Sequence, residues 1–276
     1  MPKNSKMLSA EIIKNFQNKI YCYYKQNKRD FPWRKSISPY RVLVSEIMLQ
    51  QTQVSRVAEK FVEFIKAFPN FKSLSKAPLK EVLRVWQGMG YNRRALYLKR
   101  IAEIIVNDYK EKLPVQPELL EQLPGIGPNT AASICAYAYN APTIFIETNI
   151  RTIFIHEFFH HKKIVSDKDV LPLVGQTLDA KKPREWFNAL MDYGTMLKAE
   201  HPNPNRKSKH YIKQSTFKGS EREIRGKIIK LLTQCKHAEI RQIAKHTDQK
   251  SETLYKILNF LVEEKLIQRR DNVFFI

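Results

Sequence analysis

The 276-residue chain carries 48 Lys and Arg against 27 Asp and Glu, a formal charge of +21; that exceeds what solubility requires and is the electrostatic footprint of a polyanion partner. Its length suits one large domain or two smaller ones, and the absence of any run of about 18 apolar residues or a signal-like apolar N-terminus argues against a membrane span and for a soluble, intracellular protein. Cys22, Cys135 and Cys235 lie too far apart for a disulfide framework or a four-cysteine metal site and read as reduced structural thiols.

Helical periodicity runs from Ala10 to Arg29, and from Pro39 to Phe68 apolar residues recur at roughly helical spacing until Pro69 breaks the pattern. Further helices are predicted over Leu79–Trp86, Arg93–Tyr109, Pro117–Gln122, Asn129–Tyr139 and Thr148–Phe159. No convincing alternating strand appears in the first two hundred residues. Residues 198–219 hold six Lys or Arg, one acid and two prolines, which reads as a basic loop or linker. Beyond it, Glu221–Thr233, Ala238–His246 and Glu252–Lys265 form three amphipathic segments, followed by an alternating tail, LIQRRDNVFFI, that suggests a hairpin. The reading is mainly α, with a C-terminal winged-helix-like module of the kind that commonly places its third helix in a DNA groove. The expected division is 1–200 for a two-lobed helical domain, 201–219 for a basic linker and 220–276 for the module.

Only eight glycines occur, and four sit in two short stretches, Gly88-Met89-Gly90 and Gly125-Ile126-Gly127, where they are expected to set backbone shape. In LEQLPGIGPNTAASICAYA, a helix ends at Gln122, a turn follows from Leu123 to Gly127, and Pro128 suits the first position of the next helix. Exposed N–H groups in such a turn, aligned with the helix dipole, hold a phosphate without reading sequence. Leu123, Gly125, Gly127, Asn129 and Thr130 are the residues of that expected grip.

Together with this hairpin, FPWR at Phe31–Arg34, Pro39-Tyr40, SEIMLQQTQV at Ser45–Val54, WQGMGYNRRALYL and IETNIRT carry a likeness across about residues 28–200. Over that span the chain resembles the helix-hairpin-helix DNA glycosylases, and among them the adenine glycosylase branch. The resemblance implies a fold with DNA in a cleft between two helical lobes. It also implies a monofunctional glycosylase that excises a mispaired base, adenine opposite guanine or oxidised guanine, from double-stranded DNA. Cleaving an N-glycosidic bond requires an acid to protonate the departing base and a carboxylate to steady the cationic sugar. Glu46 matches the family's acid. Glu147 stands where the family has Asp in a D-G-N-V-x-R string, a departure that adds a methylene and puts rate and substrate in question, and Asn149 keeps the family's Asn. Asn129 occupies the position of the Schiff-base Lys of bifunctional relatives, so water is the expected nucleophile. Gln50, Gln51 and Tyr91 match positions that touch the strand gap or the opposite base once the target is flipped out.

The family's iron–sulfur cysteines are missing after MDYGTML, so no cofactor and no metal are expected there. Arg206, Lys207 and Lys209 offer phosphate contacts instead. Without a recognisable reader for oxidised guanine, a G/T or G/U mismatch glycosylase stays open as an alternative, as does a non-catalytic DNA-lesion binding protein. His156–His160 matches the H-E-x-x-H zinc pattern, but it lacks an obvious third ligand and is set aside. A monomer in the cytoplasm, nucleoid-associated if bacterial, is expected.

Overall fold

The computed structural model describes residues 7–213 and 216–276. Among them the chain runs α1 (Ala10–Asn27), α2 (Pro32–Lys35), α3 (Pro39–Leu49), α4 (Val54–Ala67), α5 (Phe71–Lys76), α6 (Leu79–Val85) and α7 (Arg93–Asp108). It continues through α8 (Pro117–Leu120), α9 (Pro128–Tyr139), α10 (Thr148–Phe158), α11 (Asp167–Thr177) and α12 (Pro183–Glu200) to a 3-10 turn at Pro204–Lys207. Then follow α13 (Glu221–Gln234), β1 (Ala238–Glu239), α14 (Ile240–Thr247), α15 (Ser251–Glu263), β2 (Gln268–Arg270) and β3 (Val273–Phe275). The protein is mainly helical, as its periodicity predicts.

The chain forms two compact units, one of residues up to Leu43, Pro114–Gln122 and Ile126–Lys213, the other of Val44–Leu113, Leu123–Gly125 and the chain from Gln214 on. In the first, α10 buries Ile150, Ile153 and Phe154, and α12 buries Trp186, Phe187 and Leu190. Phe16 of α1 makes edge contacts with both, its ring centroid 5.5 Å from Phe154 and 5.9 Å from Trp186. Full burial of such aromatics contributes a few kcal/mol each by area, and it fixes the axis of α10 and so the direction of its N-terminus.

In the second unit, Phe61, Phe64 and Trp86 form the core under α4 and α6, with Phe64 5.8 Å from Trp86. The long apolar run from Pro39 does not continue as one helix. It breaks after Leu49, where Gln51 adopts φ +54, because the last carbonyls of α3 are taken by a side chain from α7 instead of a further helical turn.

The C-terminal residues form three helices and a small antiparallel sheet of order β1-β3-β2, with Ala238 opposite Phe274 and Arg269 opposite Phe274 across the two ladders. This segment belongs to the second unit and does not stand apart: Lys80 of α6 donates to the Cys235 carbonyl at 2.5 Å, and Glu264 binds both Arg225 and Arg93. The stretch 201–213 is likewise not a free tether. Asn203 caps the 3-10 turn, Pro204, Asn205 and Ser208 are buried, and the Val165 backbone pairs with Lys207 and Lys209, both at 2.9 Å. Composition alone hides this, because the ordering is done by backbone groups and two prolines. Residues 214 and 215 of the expected linker, and residues 1–6 of the expected first domain, lie outside the described residues.

Candidate active site

Glu46 is the half-buried break in a run of α3, Val42–Met48, whose other members are buried. The end of that helix is held by Arg94, itself buried, whose guanidinium donates to the carbonyls of Ile47 (3.0 Å), Met48 (2.8 Å) and Gln50 (2.5 Å). The same group reaches Thr52 Oγ1 at 2.9 Å and the carbonyls of Met89 and Gly90 at 3.0 and 3.2 Å. A cation placed on unpaired C-terminal carbonyls satisfies both their hydrogen bonds and the helix dipole. Burial lowers this guanidinium to about 10, which leaves it charged at neutral pH. One side chain thus ties the loop bearing Gln50 and Gln51 to the loop bearing Tyr91. Arg94 lies inside the WQGMGYNRRALYL string, but its role there was not legible.

Gln50 Nε2 lies 3.5 Å from the Gly125 carbonyl, at the edge of hydrogen-bond range. Gly125 has φ +75, and a Cβ there would stand 2.4 Å from the Tyr97 ring, so the position tolerates only glycine. Gly127 is different: nothing lies within 4 Å of its missing Cβ. It is the N-cap of α9, without a side-chain cap, and Gly127, Pro128 and Asn129 are exposed. The first N–H groups of that helix therefore face outward. Leu123 is buried and packs the turn from inside. Thr130 turns its carbonyl to the Ser133 hydroxyl at 3.0 Å, while Asn129 Oδ1 accepts from Ile146 N at 3.1 Å. That last bond secures the residue just before Glu147 to the hairpin helix.

Glu147 caps α10: its Oε1 accepts from Asn149 N at 2.6 Å and Ile150 N at 3.1 Å. The extra methylene relative to Asp is taken up by this fold-back, so the longer acid still serves as an N-cap. Oε2 accepts no hydrogen bond from the described residues. Burial lifts the carboxyl above the usual range, opposed by the two backbone N–H groups, Lys198 and Arg151. Arg151 is already bound to Asp167 at 2.6 and 2.8 Å. Lys198 is half-buried on α12, one turn beyond Gly194, whose Cβ position is only 2.6 Å from the Asn149 carbonyl oxygen. That close crossing of α10 and α12 brings the amine toward Glu147. Burial lowers the Lys198 pKa, while Glu147 raises it and Arg29 lowers it. Asn149 does not hold the acid with its side chain; its Nδ2 faces Met191 Sδ at 3.6 Å.

Two of the family strings prove to be one ion cluster. Asp192 of MDYG, fully buried, accepts from Arg29 N (3.0 Å) and Nε (2.6 Å) and from both terminal nitrogens of Arg34, the Arg of FPWR, at 2.8 and 3.0 Å. Lys198 and Asp192, both on α12, carry no local signal of these roles: Lys198 stands first in the basic stretch 198–219, and the partners of Asp192 lie far away in the chain.

Arg206 and Lys209 are exposed, whereas Lys207 donates to the His160 carbonyl at 2.7 Å. The zinc pattern fails on geometry. α10 ends at Phe158 and its C-cap Phe159 has φ −128, so His160 leaves the face that His156 occupies. Glu157 is bound to Lys19 at 2.7 Å, and among the described residues no group of three or more His, Cys, Asp or Glu side chains is placed to hold a metal. The segment after α12 does not fit an iron–sulfur cluster either, since no cysteine lies between Cys135 and Cys235 and the segment is closed by its own backbone bonds.

The helix pair around the exposed α9 N-terminus, with a capped carboxylate following it, defines a class that comparison makes explicit. Residues 44–171 match the HhH-GPD superfamily of base excision DNA repair proteins. An adenine DNA glycosylase of Mycolicibacterium smegmatis is 30% identical over 230 residues, 77% of this chain and 78% of its own. Another from Buchnera aphidicola is 31% identical over 186 residues, 66% of this chain and 52% of its own. A thermostable thymine-DNA glycosylase structure, 24% identical, superposes with a TM-score of 0.62 over 71% of this chain and 92% of its own, a likeness of fold. The chain belongs to the helix-hairpin-helix base excision repair superfamily, in the adenine DNA glycosylase branch. It spans about half the length of several of the relatives it matches.

Proposed function

We propose that this protein is a monofunctional DNA N-glycosylase acting on double-stranded DNA, and that its substrate is adenine mispaired with guanine or oxidised guanine. The observation that carries the reading is Glu147, which commits one carboxylate oxygen to the α10 N-terminus while the other accepts no hydrogen bond among the described residues. A carboxylate held in this way can face a developing oxocarbenium ion without first breaking a hydrogen bond, as electrostatic preorganisation requires.

In the proposed reaction Glu46 protonates the departing base, Glu147 steadies the sugar cation, and water adds to leave an abasic site. Asn149 holds the backbone that carries Glu147. The α9 N-terminus, with Gly125, Gly127, Asn129 and Thr130, grips a phosphate through backbone N–H groups, and Leu123 supports the turn by packing. Gln50 and Gln51 face base edges, Tyr91 acts as the wedge that fills the gap of the flipped base, and Arg206, Lys207 and Lys209 add phosphate attraction. The protein works as an intracellular monomer without a metal or cluster, and residues 220–276 form a winged helix.

Purified protein incubated with duplexes containing A opposite G, A opposite 8-oxoguanine, T opposite G and U opposite G, then treated with alkali, tests this reading. Strand breaks confined to the adenine duplexes are expected. Breaks confined to T or U would overturn the substrate assignment, and tight binding without breaks in any duplex would point to a non-catalytic reader.

A further inference from the structure

The C-terminal module makes a specific contact with the loop of Tyr91. Arg222, in the first turn of α13, donates from Nη1 to the Tyr91 hydroxyl at 2.7 Å. The Tyr91 ring also lies against two guanidiniums, with the Arg222 and Arg94 carbons each 5.4 Å from its centroid. Tyr91 itself has φ +46, following Gly90 at +65, a strained turn that needs support from its surroundings. A second contact lies two residues on, where Arg93 meets Glu264 at 3.6 Å. Glu264 in turn binds Arg225, on the same helix as Arg222.

The charge of one helix of the module argues against a groove-reading role for it. Helix α15, which occupies the usual place of a recognition helix, carries one Lys against two Glu, a poor surface for phosphate. We propose that Arg222 is a positioning residue for Tyr91, and that the module serves to preorganise this aromatic side chain for insertion into DNA. The inference rests on the wedge reading of Tyr91. A tyrosine fixed before binding loses little rotamer freedom on entering the duplex, so more of the contact energy goes into extruding the base.

The test uses the full chain and a duplex with 2-aminopurine opposite guanine, whose fluorescence rises as the base unstacks. Arg222→Ala is expected to slow that rise about tenfold, the effect of losing one hydrogen bond from a charged donor. Arg222→Lys should recover part of the rate, and thermal melting of each variant checks that the fold is intact. Tyr91→Phe, which loses the bond but keeps the ring against the guanidinium, should slow the rise no more than Arg222→Ala, and the double variant should be no slower than Arg222→Ala alone, because the shared bond is already gone there. Additive losses, or an unchanged rate in Arg222→Ala while Tyr91→Ala is slow, would overturn the inference and leave the wedge reading intact. An unchanged rate in Tyr91→Ala would overturn the wedge reading and the inference with it.

Discussion

Glu147 combines two demands that pull in opposite directions. Burial lifts its pKa while its proposed role requires the ionised form, and Lys198 is the nearby cation that favours ionisation without a salt bridge of its own among the described residues. Since the folded value lies above the unfolded one, ionised Glu147 costs stability at neutral pH, and that cost is relieved as pH falls through the folded value. Glu147→Gln is therefore expected to hold or raise Tm while slowing base release by about a hundredfold or more, the usual effect of removing a preorganised electrostatic group; single-turnover rates and a melting curve check both. Lys198→Met should raise the Glu147 pKa further, so that the acid side of the pH–rate profile moves to higher pH and the lost rate returns as the buffer is made more alkaline. Lys198→Arg should restore the original profile.

At the level of elements, the candidate residues stand where helices end. Arg94 terminates α3 after Glu46, Glu147 begins α10, and the uncapped N-terminus of α9 is the proposed phosphate grip. The crossing at Gly194 fixes α10 against α12, and the Asp192 cluster pins α12 to the segment after α1. Asp192→Ala leaves two guanidiniums facing each other in a buried site and is expected to cost about 3–5 kcal/mol. For a chain of this size that lowers Tm by about 10 °C, readable by differential scanning fluorimetry.

Across the whole molecule, the charge of +21 predicts binding dominated by phosphate contacts. With about six such contacts, DNA affinity should fall about a thousandfold between 50 and 200 mM salt, with a linear log–log dependence. Fluorescence anisotropy on a labelled duplex measures the slope; a flat response would contradict DNA binding through this charge. Folding the C-terminal module into the same unit as α4–α7 further predicts that it unfolds with them and not as a separate transition.

Much of this was legible from the amino-acid order alone. Periodicity located most of the helices, the two glycine pairs marked the turns that position the site, and the local strings named Glu46, Glu147 and the hairpin. Those features are encoded within a few residues of one another. Arg94, Lys198 and Arg222 were decided only by the tertiary structure, because each acts on a partner at least 40 residues away and carries no local pattern that distinguishes it from the many other basic residues. The same holds for the basic stretch after α12, whose composition resembles a solvated linker while its backbone is held by Val165. Sequence specifies local conformation and residue type; which of 48 cations is buried against a carbonyl, a carboxylate or a tyrosine depends on long-range packing.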